Sequence, residues 1–327
     1  MNIPSNIKAL LQKREGVRKE RNFSEADEIR KEIEKQGYQV VDSSHGSITI
    51  PITNSKRKAT GFGKIAVFGS GELSTIGRKI HEYLIKDFPP PVTIALLETP
   101  AGYEDNPHHW YQKLETMLSV GLQNYRPQIV LIEALRKDGL KSTNNINIVQ
   151  PLLAADYIHT GAGSPTYAVT HLRDSLVYQY LIKRNQQGTA LSLASAATIA
   201  AGKYVLPVYE LYFAGEDPHW QAGLDFFNQW GLNLTFIPHW NNAEGGKEVD
   251  TRFAYMGEKR FNKLLTLLPG PTTIIGLDEH TACIFDTNTK TCTVMGKGSI
   301  SIFPSQLPDK KRVLANLTSF SFAQLQF

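Results

Sequence analysis

Two residues of this sequence stand where a nucleophile and its general base would be expected. Ser195 follows the largely apolar run 189–194 and precedes two alanines, a strand–turn–helix pattern typical of a nucleophile elbow. His239 ends a second apolar run, 231–238, and precedes a polar loop that contains two glycines. Because a serine hydroxyl needs a neighbouring imidazole to accept its proton, the pair predicts acyl-transfer chemistry.

Both residues also have a structural interpretation, which the sequence leaves open. The alanine-rich stretch after Ser195 is equally typical of a buried helix that packs closely on a sheet. A histidine at the end of a strand often serves only as a hydrogen-bond donor. His239 therefore gains weight as a base only together with Ser195.

An acidic residue should orient the imidazole of such a pair. The candidates are Glu210, which follows two apolar residues, and Asp217, which lies in a polar turn. The sequence does not rank them firmly, although we prefer Glu210, because a carboxylate in apolar surroundings is more easily held beneath an imidazole.

Two glycine-containing loops follow apolar runs. The first, 69–72, lacks the third glycine of the dinucleotide fingerprint, so a nucleotide cofactor is not predicted. In the second, Gly161 and Gly163 let the backbone approach a ligand, and we expect Gly161 and Ser164 to contact the substrate. The amides of Gly163 and Ala196 are the predicted oxyanion hole. The alternative is a plain turn before a proline-initiated helix.

Metal chemistry is not predicted. The nine histidines show none of the spacings that ligate zinc, such as His-x-x-x-His, and we expect neither a metal nor a cofactor. The polar run that begins at His239 includes Asn241 and Asn242, which we expect to contact a substrate or ligand.

The elements that must hold these residues follow an α/β pattern. Five short apolar runs alternate with helical stretches: IAVFG, VTIALLE, QIVLIEAL, YIHTG and TALSLA. This alternation predicts a parallel sheet with helices on both faces. Ligands of such sheets bind at the carboxyl ends of the strands, where Ser195 and both glycine loops fall.

The first fifty residues have a different character. Helical periodicity over 5–36 predicts a helical hairpin that breaks near Asn22, with Ser24 as the cap of its second helix and Gly37 as its stop. A small β-hairpin should follow. Residues 1–60 hold twelve Lys/Arg against eight Asp/Glu, whereas the rest of the chain is balanced, so an acidic partner is expected only for this segment.

The composition is that of an ordinary globular chain, with 41% hydrophobic and 20% charged residues. We predict a module over residues 1–52, a linker over 53–63 and an α/β domain over 64–327. Since no apolar run is long enough for a membrane span and no signal peptide is recognisable, we expect a cytoplasmic protein without a membrane partner. The oligomeric state is not predicted.

Residues 7–50 resemble the C-terminal helical region of cysteinyl-tRNA synthetases, in which a basic helix precedes a helix like NFSEADEIRKEIEKQG. No aminoacylation site accompanies the resemblance. It implies a role in docking on tRNA or on a synthetase, with Arg14, Arg18 and Arg21 as the expected tRNA contacts.

Residues 64–286 are similar to the dipeptidase E and cyanophycinase serine peptidases, which have the class I glutamine-amidotransferase-like, flavodoxin-like fold. The family's elbow falls on 193–198, its glycine loop on 161–163 and its histidine on His239. Its later Gly-x-x-Glu-x-Thr-Ala stretch resembles the segment around Glu279, which we expect to contact the substrate. Leu193 and Ala197 stand where the family has glycine.

Two functions remain open at this stage. The first is a serine hydrolase that cleaves a small peptide or another amide and carries a tRNA- or synthetase-docking module. The second is a catalytically silent binding protein that keeps the same pocket. A glutamine amidotransferase proper is disfavoured, because it would need cysteine where Ser195 stands.

Overall fold

The computed structural model describes residues 3–43, 46–51 and 61–326. Most of the predicted linker, residues 53–60, therefore lies outside the described residues. None of the helices in these ranges combines the length and the apolar character that a membrane crossing requires.

Nine α-helices and sixteen strands make up the regular structure of the described ranges. The helices are α1 Ser5–Lys19, α2 Phe23–Lys35, α3 Thr75–Ile85, α4 His108–Gly121, α5 Ile146–Val149, α6 Pro165–Leu172, α7 Leu176–Gln186, α8 Ala196–Ala200 and α9 Gly257–Thr266. The strands are β1 Tyr38–Ser43, β2 Gly46–Pro51, β3 Ile65–Phe68, β4 Thr93–Leu97, β5 Gln128–Ile132, β6 Tyr157–Thr160, β7 Ala190–Ala194, β8 Tyr204–Val205, β9 Gln221–Ala222, β10 Leu234–Ile237, β11 Thr273–Leu277, β12 Thr281–Asp286, β13 Thr291–Gly296, β14 Ser299–Pro304, β15 Arg312–Ala315 and β16 Ser319–Ser321.

The central sheet confirms the predicted α/β class. All five apolar runs form strands, and these lie parallel in the order β3, β7, β6, β4, β5. Beyond β3 the sheet continues with β12, β13 and β16, which pair antiparallel. The strand β7 therefore lies between β3 and β6, and the loops that follow these two strands flank the residue after β7.

Helices cover both faces of this sheet, because its strands present apolar side chains to both sides. Val67 of β3 and Leu193 of β7 belong to the apolar cluster on one face, which includes residues of α6 and α7. Phe68 and Ala194, one position further on, belong to the cluster on the other face, which includes residues of α3 and α4. This alternation buries β3 and β7 completely.

A second sheet packs beside the first, in the order β10, β11, β14, β15. Its first two strands are parallel, and Ile237 pairs with Gly276 near their ends. Because parallel strands end at the same edge, the residues that follow β10 and β11 are brought side by side.

Helices α1 and α2 and the β1–β2 ladder form the predicted hairpin module, residues 3–43 and 46–51. Ile7, Ile29, Ile33 and Val40 form an apolar cluster of its own. The cap of α2 is not Ser24 as predicted: Asn22 accepts the amide hydrogen of Glu25, so the helix begins at Phe23. Gly37, at φ 82°, ends the helical segment as predicted.

The basic residues of α1 point inward more than the sequence suggested. Arg14 is 1% exposed and donates two hydrogen bonds to the carboxylate of Asp42, at 2.6 and 2.9 Å, and a third to Ser47. Arg18 donates to the same carboxylate at 2.6 Å. The guanidinium of Arg14 is thus buried in the module, which does not favour the expected contact of Arg14 with tRNA. Arg18, which is part-exposed, is engaged by the same acid.

Candidate active site

Ser195 occupies the sharp turn between β7 and α8. Its backbone has φ 48° and ψ −109°, the strained turn between strand and helix that a nucleophile elbow requires. Such a conformation costs on the order of 1–3 kcal/mol in a residue that is not glycine and persists only where the surroundings enforce it. Among the surroundings, the Thr198 hydroxyl lies 3.0 Å from the Phe68 carbonyl and 2.8 Å from the Leu193 carbonyl, so that its one hydrogen ties the start of α8 to the ends of β3 and β7.

The turn forms without the two glycines that peptidases of the resembled family have there. Leu193 is tolerated because its side chain is buried in the core on one face of the sheet, away from the turn. Ala194, Ala196 and Ala197 are small enough to be buried where strand and helix meet. The amide of Ala197 donates to the carbonyl of Gly161 at 3.3 Å, which fixes the turn against the loop after β6.

His239 reaches Ser195 from the second sheet. Its Nε2 lies 3.0 Å from the Ser195 Oγ. His239 follows β10, and its amide donates to the carbonyl of Gly69 after β3, at 3.0 Å. The two sheets are thus joined at the point where serine and imidazole meet.

The carboxylate that orients the imidazole belongs to Glu279. Its Oε1 lies 3.0 Å from the His239 Nδ1. A carboxylate only accepts hydrogen bonds, so Nδ1 carries the proton and Nε2 is free to accept the Ser195 hydroxyl. The hydrogen bond from His239 is the largest cause that holds the pKa of the Glu279 carboxyl below its usual range, against the opposing effect of burial.

Glu210 and Asp217 do not hold this position, which corrects the prediction for the third residue. Glu210 accepts a hydrogen bond from the Thr166 hydroxyl at 2.6 Å, and Asp217 lies exposed in a loop. The sequence did carry a signal for Glu279. It follows the apolar run of β11 just as His239 follows that of β10, and parallel neighbours bring such residues together.

Four of the residues predicted to contact the substrate, Gly161, Ser164, Asn241 and Asn242, do not line the cavity. Two of them hold the Glu279 carboxylate in place instead. The Asn242 amide donates to the Glu279 Oε1 at 2.8 Å, and Asn241 accepts the backbone amide of Glu279 at 2.8 Å. Ser164 is buried and caps α6 by accepting the amide of Tyr167. Gly161 packs against the ring of His159, where a side chain would not fit.

A cavity of about 410 Å³ opens beside the Ser195 hydroxyl. Among the described residues, its wall includes Ser195, Ala196, Gly163 and His239. Gly163 has φ 133°, and a Cβ there would meet the Pro100 carbonyl at 2.0 Å, so only glycine fits. The two predicted oxyanion residues thus lie on the wall that holds the serine.

One group of side chains at this end of the sheet has the composition of a metal site. The Nδ1 of His108 lies 2.7 Å from Glu98, after β4, and its Nε2 lies 2.9 Å from Glu133, after β5. Both ring nitrogens are therefore already bonded to carboxylates, and Lys141 adds a positive charge 3.2 Å from Glu133. The arrangement is that of an ion-pair network that ties two strand ends together.

Comparison with known proteins supports the fold. No protein-family model matches the chain, and no curated protein matches it. A solved peptidase from an acI-B1 actinobacterium shares 21% identity at a TM-score of 0.65, covering 81% of this chain and 98% of that one. A putative peptidase E protein from Listeria monocytogenes EGD-e shares 10% identity at a TM-score of 0.49, covering 72% and 100%. The chain therefore has the mixed α/β fold of the actinobacterial peptidase.

Proposed function

We propose that this chain is a serine hydrolase that cleaves an amide bond of a short peptide or another small amide. One observation carries the proposal: on the wall of a cavity, a serine in a strained turn lies 3.0 Å from an imidazole that a carboxylate orients on its other side. A chain of hydrogen bonds from serine to histidine to carboxylate is the arrangement that activates the serine hydroxyl as a nucleophile.

The reaction would proceed in two halves. The Ser195 Oγ attacks the carbonyl carbon, and the His239 Nε2 takes its proton, while the Glu279 carboxylate stabilises the imidazolium. The amides of Gly163 and Ala196 bind the oxyanion. His239 then gives its proton to the leaving amine, which departs and leaves an ester on Ser195. Water, activated by the same imidazole, hydrolyses the ester and releases the acid and the free hydroxyl.

A fluorophosphonate probe tests the proposal directly, because it reacts with activated serines. The native chain should be labelled at Ser195, and Ser195→Ala should lose all labelling. Ser70→Ala is the matched control, since Ser70 lines the same cavity and should leave labelling at Ser195 intact. If the native chain is not labelled, or if labelling survives in Ser195→Ala, the hydrolase proposal fails and a catalytically silent binding protein takes its place.

For the hairpin module we propose docking on tRNA or on a synthetase, in a cytoplasmic protein. The support is its resemblance to the synthetase helical region and the exposed Arg21 at the end of α1, for which no ion pair is found among the described residues. Arg18 remains 39% exposed despite its contact with Asp42. The salt dependence of tRNA binding, discussed below, tests this role.

A further inference from the structure

The charge on the wall of the cavity differs from the charge of the chain. The chain has a net charge of +4, yet the described wall contains neither lysine nor arginine. Its ionisable side chains, apart from the tyrosines, are Glu72, Glu104 and His239. A substrate with an anionic group at this wall would find no cation to pair with. A substrate with an ammonium group would find two carboxylates.

Glu72 is the more confined of these carboxylates. It follows the glycine loop after β3, the strand next to β7, and its side chain is part-buried. Desolvation by burial raises the pKa of its carboxyl, against smaller opposing effects that include the charges of His239 and His280. Burial disfavours the charge on this carboxyl, and a bound cationic group would favour the carboxylate and pair with it.

The backbone at Glu72 is held in place. A ring nitrogen of the buried His81 lies 3.0 Å from its carbonyl oxygen. Gly77 packs so closely that a Cβ would lie 2.5 Å from the same oxygen. A carboxylate on a fixed backbone can orient a bound charge, because less freedom is lost when the ligand binds.

The remaining wall is largely apolar and aromatic, with Trp110, Tyr209, Phe213 and Tyr255 among its residues. Phe213 is 69% exposed and Trp110 41%, and the rings of Tyr209 and Phe213 lie 5.4 Å apart. Exposed aromatic side chains around a cavity are typical of a surface that binds apolar groups. The cavity volume, about 410 Å³, is suited to a ligand of a few residues.

We propose that the cavity selects short peptides that combine an ammonium group with apolar side chains, and that Glu72 binds the ammonium group. The inference rests on the proposed hydrolase function and names the substrate class of the same site. The free N-terminus of the peptide supplies this ammonium group, and the substrate panel below tests whether the side chain of a lysine can supply it as well.

Four dipeptides test the selection: Leu-Phe, N-acetyl-Leu-Phe, Asp-Phe and N-acetyl-Lys-Phe, with cleavage followed by mass spectrometry. Leu-Phe should be cleaved well, and N-acetyl-Leu-Phe, which lacks the ammonium group, at least about tenfold less efficiently, since one charge-assisted hydrogen bond is worth roughly that factor. Good cleavage of N-acetyl-Lys-Phe would show that a side-chain ammonium also satisfies the site, and poor cleavage that only the N-terminus does. A preference for Asp-Phe over Leu-Phe, or indifference to acetylation, would overturn the proposal.

Glu72→Gln gives the residue-level test. It should raise the KM for Leu-Phe about tenfold and leave N-acetyl-Leu-Phe unaffected, since the latter carries no charge for Glu72 to bind. The matched control is Glu82→Gln, on the surface of the helix that follows the same loop, where the carboxylate pairs with Arg78. Equal kinetics of Glu72→Gln and the native chain would refute the role of Glu72.

A binding measurement separates this inference from the hydrolase proposal. Ser195→Ala, which cannot form an ester, should still bind Leu-Phe more tightly than N-acetyl-Leu-Phe by calorimetry. If the native chain reacts with no probe and cleaves no peptide, but this difference in binding holds, the hydrolase proposal fails and the ammonium selection stands. If Leu-Phe binds no better than its acetylated form, the selection fails whatever the catalytic result.

Discussion

Two clusters of hydrogen-bonded side chains in this chain differ in whether they leave a group available to a ligand. In the hairpin module, Arg14 and Arg18 direct their guanidinium groups to one acid, Asp42, and Arg14 is almost wholly buried. At the edge of the two sheets, Glu279 orients His239, which in turn contacts a Ser195 hydroxyl on a cavity wall. The first cluster closes on itself, whereas the second ends at a surface open to a ligand.

This difference decides whether a charged residue in the sequence can be used to predict a binding partner. The excess of basic residues in the N-terminal segment suggested RNA, but part of it neutralises the module's own acid. The net positive charge of the chain says nothing about its cavity, whose described wall is acidic. A side chain is available to a partner only where the fold has not already satisfied it.

Glu279→Gln should give the largest effect. The amide cannot keep a full negative charge beside the imidazolium, and it can stabilise the wrong histidine tautomer, so kcat should fall by about 10²–10⁴-fold. Glu210→Gln is the matched control and should change kcat by less than about threefold, because Glu210 contacts Thr166 and not His239. Peptide cleavage and the rate of fluorophosphonate labelling measure both. A larger loss in Glu210→Gln would restore the original assignment.

The sequence predicted the features that depend on neighbouring residues better than the contacts between residues far apart in the chain. The five parallel strands were predictable, because each is a short apolar run between helical stretches. The positive φ at Ser195 was predictable from the small residues around it. Glu279 was not assigned to the imidazole, because it lies forty residues beyond His239 and meets it only through the parallel pairing of β10 and β11.

The burial of Arg14 was also beyond the sequence. The helical periodicity of the segment placed Arg14 on the first helix. Its side chain is buried there only because the β1–β2 ladder brings Asp42 and Ser47 against that helix. The same limit applies to the cavity. Glu72 and the aromatic residues around it come from separate loops, and no spacing in the chain connects them.

Arg14→Met should have the next largest effect, on the stability of the hairpin module. Removing one partner of a fully buried ion pair costs about 3–5 kcal/mol. The loss here should be smaller, about 1–3 kcal/mol, because Asp42 is 32% exposed and keeps its contact with Arg18. Hydrogen exchange of the α1 amides in the full-length chain measures the loss. Lys13→Met is the matched control, because Lys13 lies on the same helix and its pair with Glu25 is exposed at both ends, which is worth at most about 1 kcal/mol. Equal exchange in both variants would mean that Arg14 contributes no more than a surface residue.

Acid should act on the same contact in the native chain. Hydrogen bonding by Arg14 is the largest cause that holds the pKa of the Asp42 carboxyl below its ordinary value of 3.8. A group with a lowered pKa in the folded state stabilises that state above its unfolded pKa and loses this contribution as the pH falls further. Exchange of the α1 amides, corrected for its intrinsic pH dependence, should therefore rise below about pH 3.8 in the native chain and change less in Arg14→Met.

The smallest effect is expected for tRNA binding by the hairpin module. With Arg14 buried and Arg18 engaged by Asp42, Arg21 is the remaining one of the three arginines, so few phosphate contacts are available. Each contact releases counterions, so affinity should fall with salt, and Arg21→Glu should reduce the slope of log affinity against log salt by about one.

The control is Lys297→Glu. Lys297 is exposed in the α/β domain, so this variant makes the same change of charge and should leave the slope unchanged. Titrations of one tRNA at several salt concentrations measure both variants. If binding is absent, or if Lys297→Glu weakens it as much as Arg21→Glu, the basic excess of the module serves its own fold and the tRNA role is withdrawn.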